Sequence, residues 1–139
     1  VSEYQPGVCN INQKGIEKRQ IVANVSGVIG FFLLFAPVYF GFGGLALAAV
    51  GVPVVFIAVL NYLQAKNSFC VSHGISGTQR TDSATSETES VIDQQAKMKD
   101  RIRSKSMLRK AAKLTAIISI VIIAIAVGII YLTAEVSFK

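Results

Sequence analysis

The chain has 139 residues, 52% of them hydrophobic and only 16% charged, with a mean hydropathy of +0.52 and a formal net charge of +6. A soluble domain of this size carries about 25% charged residues, and here the deficit is concentrated: Gln20 to Ala65 and Leu114 to Ala134 contain no Asp, Glu, Lys, Arg or His. Each stretch exceeds the ~20 apolar residues that cross a hydrocarbon core of about 30 Å, so an ordinary soluble fold is excluded and the first stretch is long enough for two passes.

Residues 1–20 are read as a cytoplasmic N-terminal segment carrying Cys9, Lys14, Lys18 and Arg19. A cleaved signal peptide would use these cations as its basic region and Ala46-Leu47-Ala48 as its cleavage site. The apolar run is longer than the roughly 7–15 residues of such a peptide and continues past that site, and Cys9 precedes it, as a lipoprotein cysteine would not. The expected spans are about 21–40 and 44–63, joined by PVYFGFGG (37–44), whose Pro and Gly content predicts a tight hairpin turn. With that turn centred near Phe42 and Gly43, residues whose numbers sum to about 85 lie at one depth. Asn24 and Asn61 satisfy this relation, and an interhelical amide pair worth about 1 kcal/mol is expected between them; the alternative is that each bonds its own helix or headgroups. Pro53 is expected to kink the second span. The small-residue pairs Ala23/Gly27, Gly44/Ala48, Ala112/Ala116 and Ala124/Gly128 are expected to allow close helix contact.

Residues 64–90 read as a cytoplasmic loop and flexible linker, because VSHGISGTQRTDSATSETES (71–90) has too few large apolar residues to offset the cost of ordering. Ser90-Val-Ile-Asp93 resembles a capping box. From Val91 onward good helix formers continue without Pro or Gly, predicting one long helix over 91–133 whose second half, about 114–134, is the third span. A span rich in Ile and Val is helical in lipid, where the backbone must satisfy its own hydrogen bonds. Residues 135–139 would form an external tail. The fold class is therefore an all-α integral membrane protein: an N-terminal transmembrane hairpin plus a third transmembrane helix extended into the cytoplasm.

Of the fourteen Lys and Arg, three precede the first span, ten lie between Lys66 and Lys113, and only Lys139 follows the last span. Such flanks stay cytoplasmic, predicting a multi-pass protein of the inner (plasma) membrane, N-terminus inside and C-terminus outside. Tyr39, Phe40, Phe42 and Tyr131 would mark the outer interface and Tyr62 the inner one. The cytoplasmic turns of the long helix carry Lys97, Lys99, Arg101, Arg103, Lys105, Arg109 and Lys110 against one Asp100. Anionic lipid headgroups attract such clusters at about 1 kcal/mol per cation near the surface. Nucleic acid is not an expected partner, since basic flanks already follow from topology and no nucleic-acid motif accompanies them. Lipids and other membrane proteins, or a second copy of the chain, are the expected partners.

Cys9 and Cys70 flank the open end of the hairpin, and His73 follows Cys70 at i+3. Three readings stay open: free thiols acting as small hydrophobes, a regulatory disulfide favoured by nearby cations, or a metal site using Cys9, Cys70 and His73. Structural zinc wants four ligands, and no CxxCH haem motif is present. With one His, no nucleophile–base constellation and no ionisable residue inside the spans, neither catalysis nor ion transport is expected, and no cofactor.

Cys9-Asn10-Ile11, then Ile16-Glu17-Lys18-Arg19 and Gly27, then Gln64, Phe69-Cys70, Gly74 and Gly77 resemble a family of small uncharacterised prokaryotic membrane proteins. In that family a CNI-type start precedes a basic pair and a two-helix hairpin, and an FC motif with spaced glycines follows. The likeness covers about residues 9–77. Lys18-Arg19 is shorter than the Arg-rich run of that pattern, and His73 is not part of it. The resemblance implies the hairpin and raises the prospect that the two cysteines act together. The leading functional reading is a non-catalytic accessory subunit, scaffold or self-associating unit; the alternative is a thiol redox switch or sensor using Cys9 and Cys70.

Overall fold

In a computed structural model, which describes residues 4–80 and 88–137, the chain is mostly helical. Helix α1 covers Gln13–Phe40, a short 3₁₀ turn Gly41–Gly43 follows, and α2 covers Gly44–Lys66. A single-turn helix α3 (Val71–Ser76), strands β1 (Thr78–Arg80) and β2 (Thr88–Ser90) and the 44-residue helix α4 (Gln94–Ser137) complete the order. Contacts divide the chain into two compact units, Val1–Ala23 with Leu60–Ala111 and Asn24–Val59 with Ala112–Lys139.

Two stretches are long and apolar enough to cross a membrane, Gln13–Lys66 and Gln94–Glu135. The first is folded back on itself as α1 and α2. Gly41, at φ +58°, takes the left-handed conformation that the reversal needs and that glycine adopts without steric cost. Pro37 does not end α1: the helix continues three residues further. Pro53 likewise lies inside α2, which is helical on both sides of it.

In the unit formed by Asn24–Val59 and Ala112–Lys139, Leu34, Ala48 and Val55 are the buried core, with Val52, Val59, Ile122 and Ile123 packed on it. Close approaches pair Gly27 with Ala58, Gly30 with Val55 and Gly51 with Leu34, the register expected for a turn near Phe42 and Gly43. The small-residue pairs behave unequally. Ala23 and Ala48 are buried, and a side chain at Gly44 would overlap the Ala36 and Pro37 backbone. Ala112, Ala116 and Ala124 are exposed and nothing lies near Gly128. The expectation of close packing through those two pairs is corrected: the covered stripe of α4 in this unit is Thr115, Ser119 and Ala126, and a helix packed along one side leaves its other faces bare.

In the unit formed by Val1–Ala23 and Leu60–Ala111, Phe69, Val71 and Met107 are buried together under Leu60, Leu63 and Leu108. Within the stretch expected to be a flexible linker, 71–76, 78–80 and 88–90 carry regular structure. Phe69 and Val71 anchor α3, and β1 pairs antiparallel with β2, Thr78 opposite Ser90 and Arg80 opposite Thr88. The tie is a few buried apolar side chains at the segment's start, which composition averaged over twenty residues conceals. The rest of that stretch, residues 81–87, and part of the expected external tail, residues 138–139, lie outside the described residues. Helix α4 starts at Gln94, not at Val91, because Ser90 is held in β2 and Asp93 is the cap: its Oδ1 accepts the Gln95 N–H at 3.0 Å.

Candidate functional site

The site is built around Asn10, the residue that follows Cys9. Its side-chain Nδ2 donates to the Cys70 carbonyl at 3.0 Å while its Oδ1 accepts the Cys70 N–H at 2.6 Å. Its backbone N–H donates to the Ser68 carbonyl and its own carbonyl accepts the Arg80 N–H, each at 3.2 Å. One buried amide residue therefore joins the N-terminal segment to the α2–α3 junction and to β1. Buried amides occur where their hydrogen-bonding groups are satisfied, and here every group but one amide hydrogen has a named partner.

The junction is shaped to receive it. Ser68, at φ +51°, turns the chain out of α2 in the left-handed region, and Gln64, buried in the last turns of α2, accepts the Val71 N–H on its Oε1 at 3.1 Å. Gly74 lets α3 approach α4 closely; a side chain there would run into Ser104 Oγ, the Phe69 ring and the Asp100 carbonyl. Gly77 closes α3 at φ +70°, the left-handed cap glycine supplies. On the far side, buried Asp100 accepts from the Tyr4 hydroxyl at 3.0 Å and from the Gly7 N–H at 2.6 Å. Burial, the hydrogen bond to Asp100 and the charges of Asp100 and Asp93 push the Tyr4 phenol well above its usual range.

Both cysteines are free, and their sulfurs are not at disulfide distance. The half-buried Cys9 thiol faces the Ile11 carbonyl at 3.6 Å, whereas the buried Cys70 sulfur accepts from Arg19 Nη2 at 2.8 Å. The expectation of a working cysteine pair is thereby corrected: Asn10, not a sulfur–sulfur bond, joins the two segments. Nor does a ligand set assemble from Cys9, Cys70 and His73; among the described residues no three His, Cys, Asp or Glu side chains come together to hold a metal ion.

Arg19 also donates from Nη1 to Asn61 Oδ1 at 3.1 Å, so the amide read as half of an interhelical pair holds a guanidinium, while Asn24 is exposed. Arg19 thus fixes one wall of a cavity of about 160 Å³ that Lys18, His73 and Arg80 also line. Ile11 and Val22 supply its apolar side. His73 Nδ1 lies 2.8 Å from the Thr78 hydroxyl. Burial first, then the positive charges of Arg19 and Arg80, push its imidazole below the usual 6.5.

The seven basic residues of α4 divide into two groups. Lys97 and Arg103 are half-buried: the Lys97 stem lies against Gly77, and Arg103 Nη2 donates to Asn67 Oδ1 at 3.0 Å. Lys99, Arg101, Lys105, Arg109 and Lys110 are exposed. Asn10, Gln64 and Arg80 were not singled out as site residues from the sequence, although Asn10 and Gln64 stand in the motif. A buried amide flanked by residues that cannot themselves explain the motif is the signal that would have found the first.

The class these features define is a mostly helical chain with two stretches suited to a membrane and a small folded unit rich in cations. No family model, no curated protein and no solved structure matches the chain.

Proposed function

We propose that this is a non-catalytic multi-pass protein of the inner (plasma) membrane, acting by contact as an accessory subunit, scaffold or self-associating unit. Its hairpin and the second half of α4 lie in the bilayer, the N-terminus and the cation-rich unit face the cytoplasm, and the C-terminus faces outward. One observation carries the reading: only 28% and 17% of the most apolar windows of the two stretches are buried. A soluble protein covers such helices with its own core; helices left this bare are covered by lipid or by other helices in it. The Lys/Arg asymmetry supplies the direction, and the likeness of residues 9–77 to small prokaryotic membrane proteins agrees with it.

The basic end of α4 meets anionic headgroups where it enters the apolar stretch, at Arg109, Lys110 and Lys113. No thiol switch is invoked, since the cysteine sulfurs have separate partners.

The test is a pair of reporter fusions combined with an alkaline carbonate wash of isolated membranes. A reporter inserted within residues 81–87 is expected to read cytoplasmic, one placed after Lys139 external, and the protein stays in the washed membranes. Release by the wash, or a cytoplasmic reading from the C-terminal fusion, would overturn the proposal.

A further inference from the structure

The cavity beside Arg19 has an unusual charge balance. Lys18, Arg19 and Arg80 line it with His73, and among the described residues no carboxylate lines it. Neither Lys18 nor Arg80 has a carboxylate partner among the described residues. Three cations around one small space repel each other unless an anion joins them.

Their placement suits a compact oxyanion. Arg19 is held in position from behind, by Asn61 and by the Cys70 sulfur, and a guanidinium fixed in this way presents its remaining N–H groups without further loss of freedom. Arg80 comes from β1, whose backbone is tied to Asn10, and Lys18 from the turn of α1 that precedes the apolar run. At about 160 Å³ the space is well below the roughly 300–1,000 Å³ of pockets that enclose a drug-sized ligand. A nucleotide is too large for it and a single phosphate group is not.

We propose that Lys18, Arg19 and Arg80 form a phosphate-binding site, with His73 and Asn61 completing its polar wall. The phosphate is either the headgroup phosphate of a phospholipid or a free anion of the cytoplasm. Val22, exposed at the cavity's edge and already within the apolar run of α1, gives an acyl chain a surface to leave along. Only the lipid source rests on the membrane reading; the oxyanion site itself does not.

The experiment uses the full chain in a phosphate-free neutral detergent, titrated by calorimetry with inorganic phosphate and, separately, with monomeric dihexanoyl phosphatidylglycerol. Saturable binding of either is expected, weakened at least tenfold by Lys18→Gln or Arg80→Gln and unchanged by Lys66→Gln, which removes the same charge from an exposed residue outside the cavity. Binding of the lipid alone assigns the headgroup source. Equal binding of inorganic phosphate assigns the free anion. Absence of saturable binding by both, or an equal loss in Lys66→Gln, overturns the site. Because the titration is done in detergent, its outcome is independent of the reporter fusions that test orientation.

Discussion

Replacing Asn10 by Ala would strand the buried N–H of Cys70, whose partner is the Asn10 amide, and leave the Cys70 carbonyl with the Gly74 N–H alone. An unsatisfied buried group costs about 1–3 kcal/mol, and the stranded Cys70 N–H lowers local stability by about that much. Cys70 reports that loss directly, being buried and, in a Cys9→Ser background, the sole thiol. Its labelling requires the unit to open, and opening free energy sets the rate when reclosing is fast. Asn10→Ala is expected to speed labelling by roughly fivefold or more, while Cys9→Ser alone leaves the protein's stability within about 0.5 kcal/mol, as for most substitutions away from a buried network. An unchanged rate in Asn10→Ala would remove Asn10 from the centre of the unit. The sequence drew the eye to Cys9 because cysteine carries recognisable chemistry, whereas an amide that works by joining three segments leaves no periodicity and no spacing to read. Asn10 became legible only once Ser68, Cys70 and Arg80 were in place around it.

At the scale of elements, the hairpin was the most legible feature, since hydropathy, turn glycines and register all follow from residue type and order. Its packing was less so. Small residues recur along every apolar helix here, and only contact geometry separates those at an interface from those facing outward. At Gly30 an added side chain would come within 2.7 Å of Val55 Cγ2 and 3.2 Å of its backbone N; the second of these cannot move without moving α2. Overpacking of this kind costs about 1–3 kcal/mol or forces the helices apart. The expected outcome can be read from a reporter pair, Gly27→Cys with Ala58→Cys, placed where the two helices touch in a chain lacking its own cysteines. Gly30→Leu should cut formation of that crosslink at least tenfold, and Gly128→Leu, where an added side chain meets nothing within 4 Å, should not. Equal crosslinking in both would refute the hairpin register. The folding of α3 and the β1–β2 pair was the least legible part: Thr, Ser and Gly look like linker in composition, and the segment is ordered by Phe69, Val71 and Gly74 meeting α4.

For the molecule as a whole, α4 sets a gradient of charge that the composition of its basic half does not distinguish. An α-helix rises 1.5 Å per residue, so Lys99 and Arg101 stand about 12–17 Å further along the axis than Arg109 and Lys110 from the start of the apolar stretch. Attraction to a charged surface falls off over a Debye length of about 8 Å at physiological salt. With the apolar stretch in a bilayer, as proposed, only the cations nearest it would gain the full ~1 kcal/mol each from anionic headgroups, and those further out would gain little, although all four side chains are exposed. The measurement is enrichment of phosphatidylglycerol over phosphatidylcholine around the protein in mixed-lipid nanodiscs. Arg109→Gln with Lys110→Gln removes about 2 kcal/mol of attraction, an expected loss of roughly 10- to 30-fold in the apparent affinity for the anionic lipid. Lys99→Gln with Arg101→Gln, equal in charge, should change it by less than about twofold. If both pairs reduce enrichment alike, the basic half of α4 lies along the bilayer surface and not away from it, and the helix must then break near Leu114. If neither pair matters, the cations of α4 serve orientation alone.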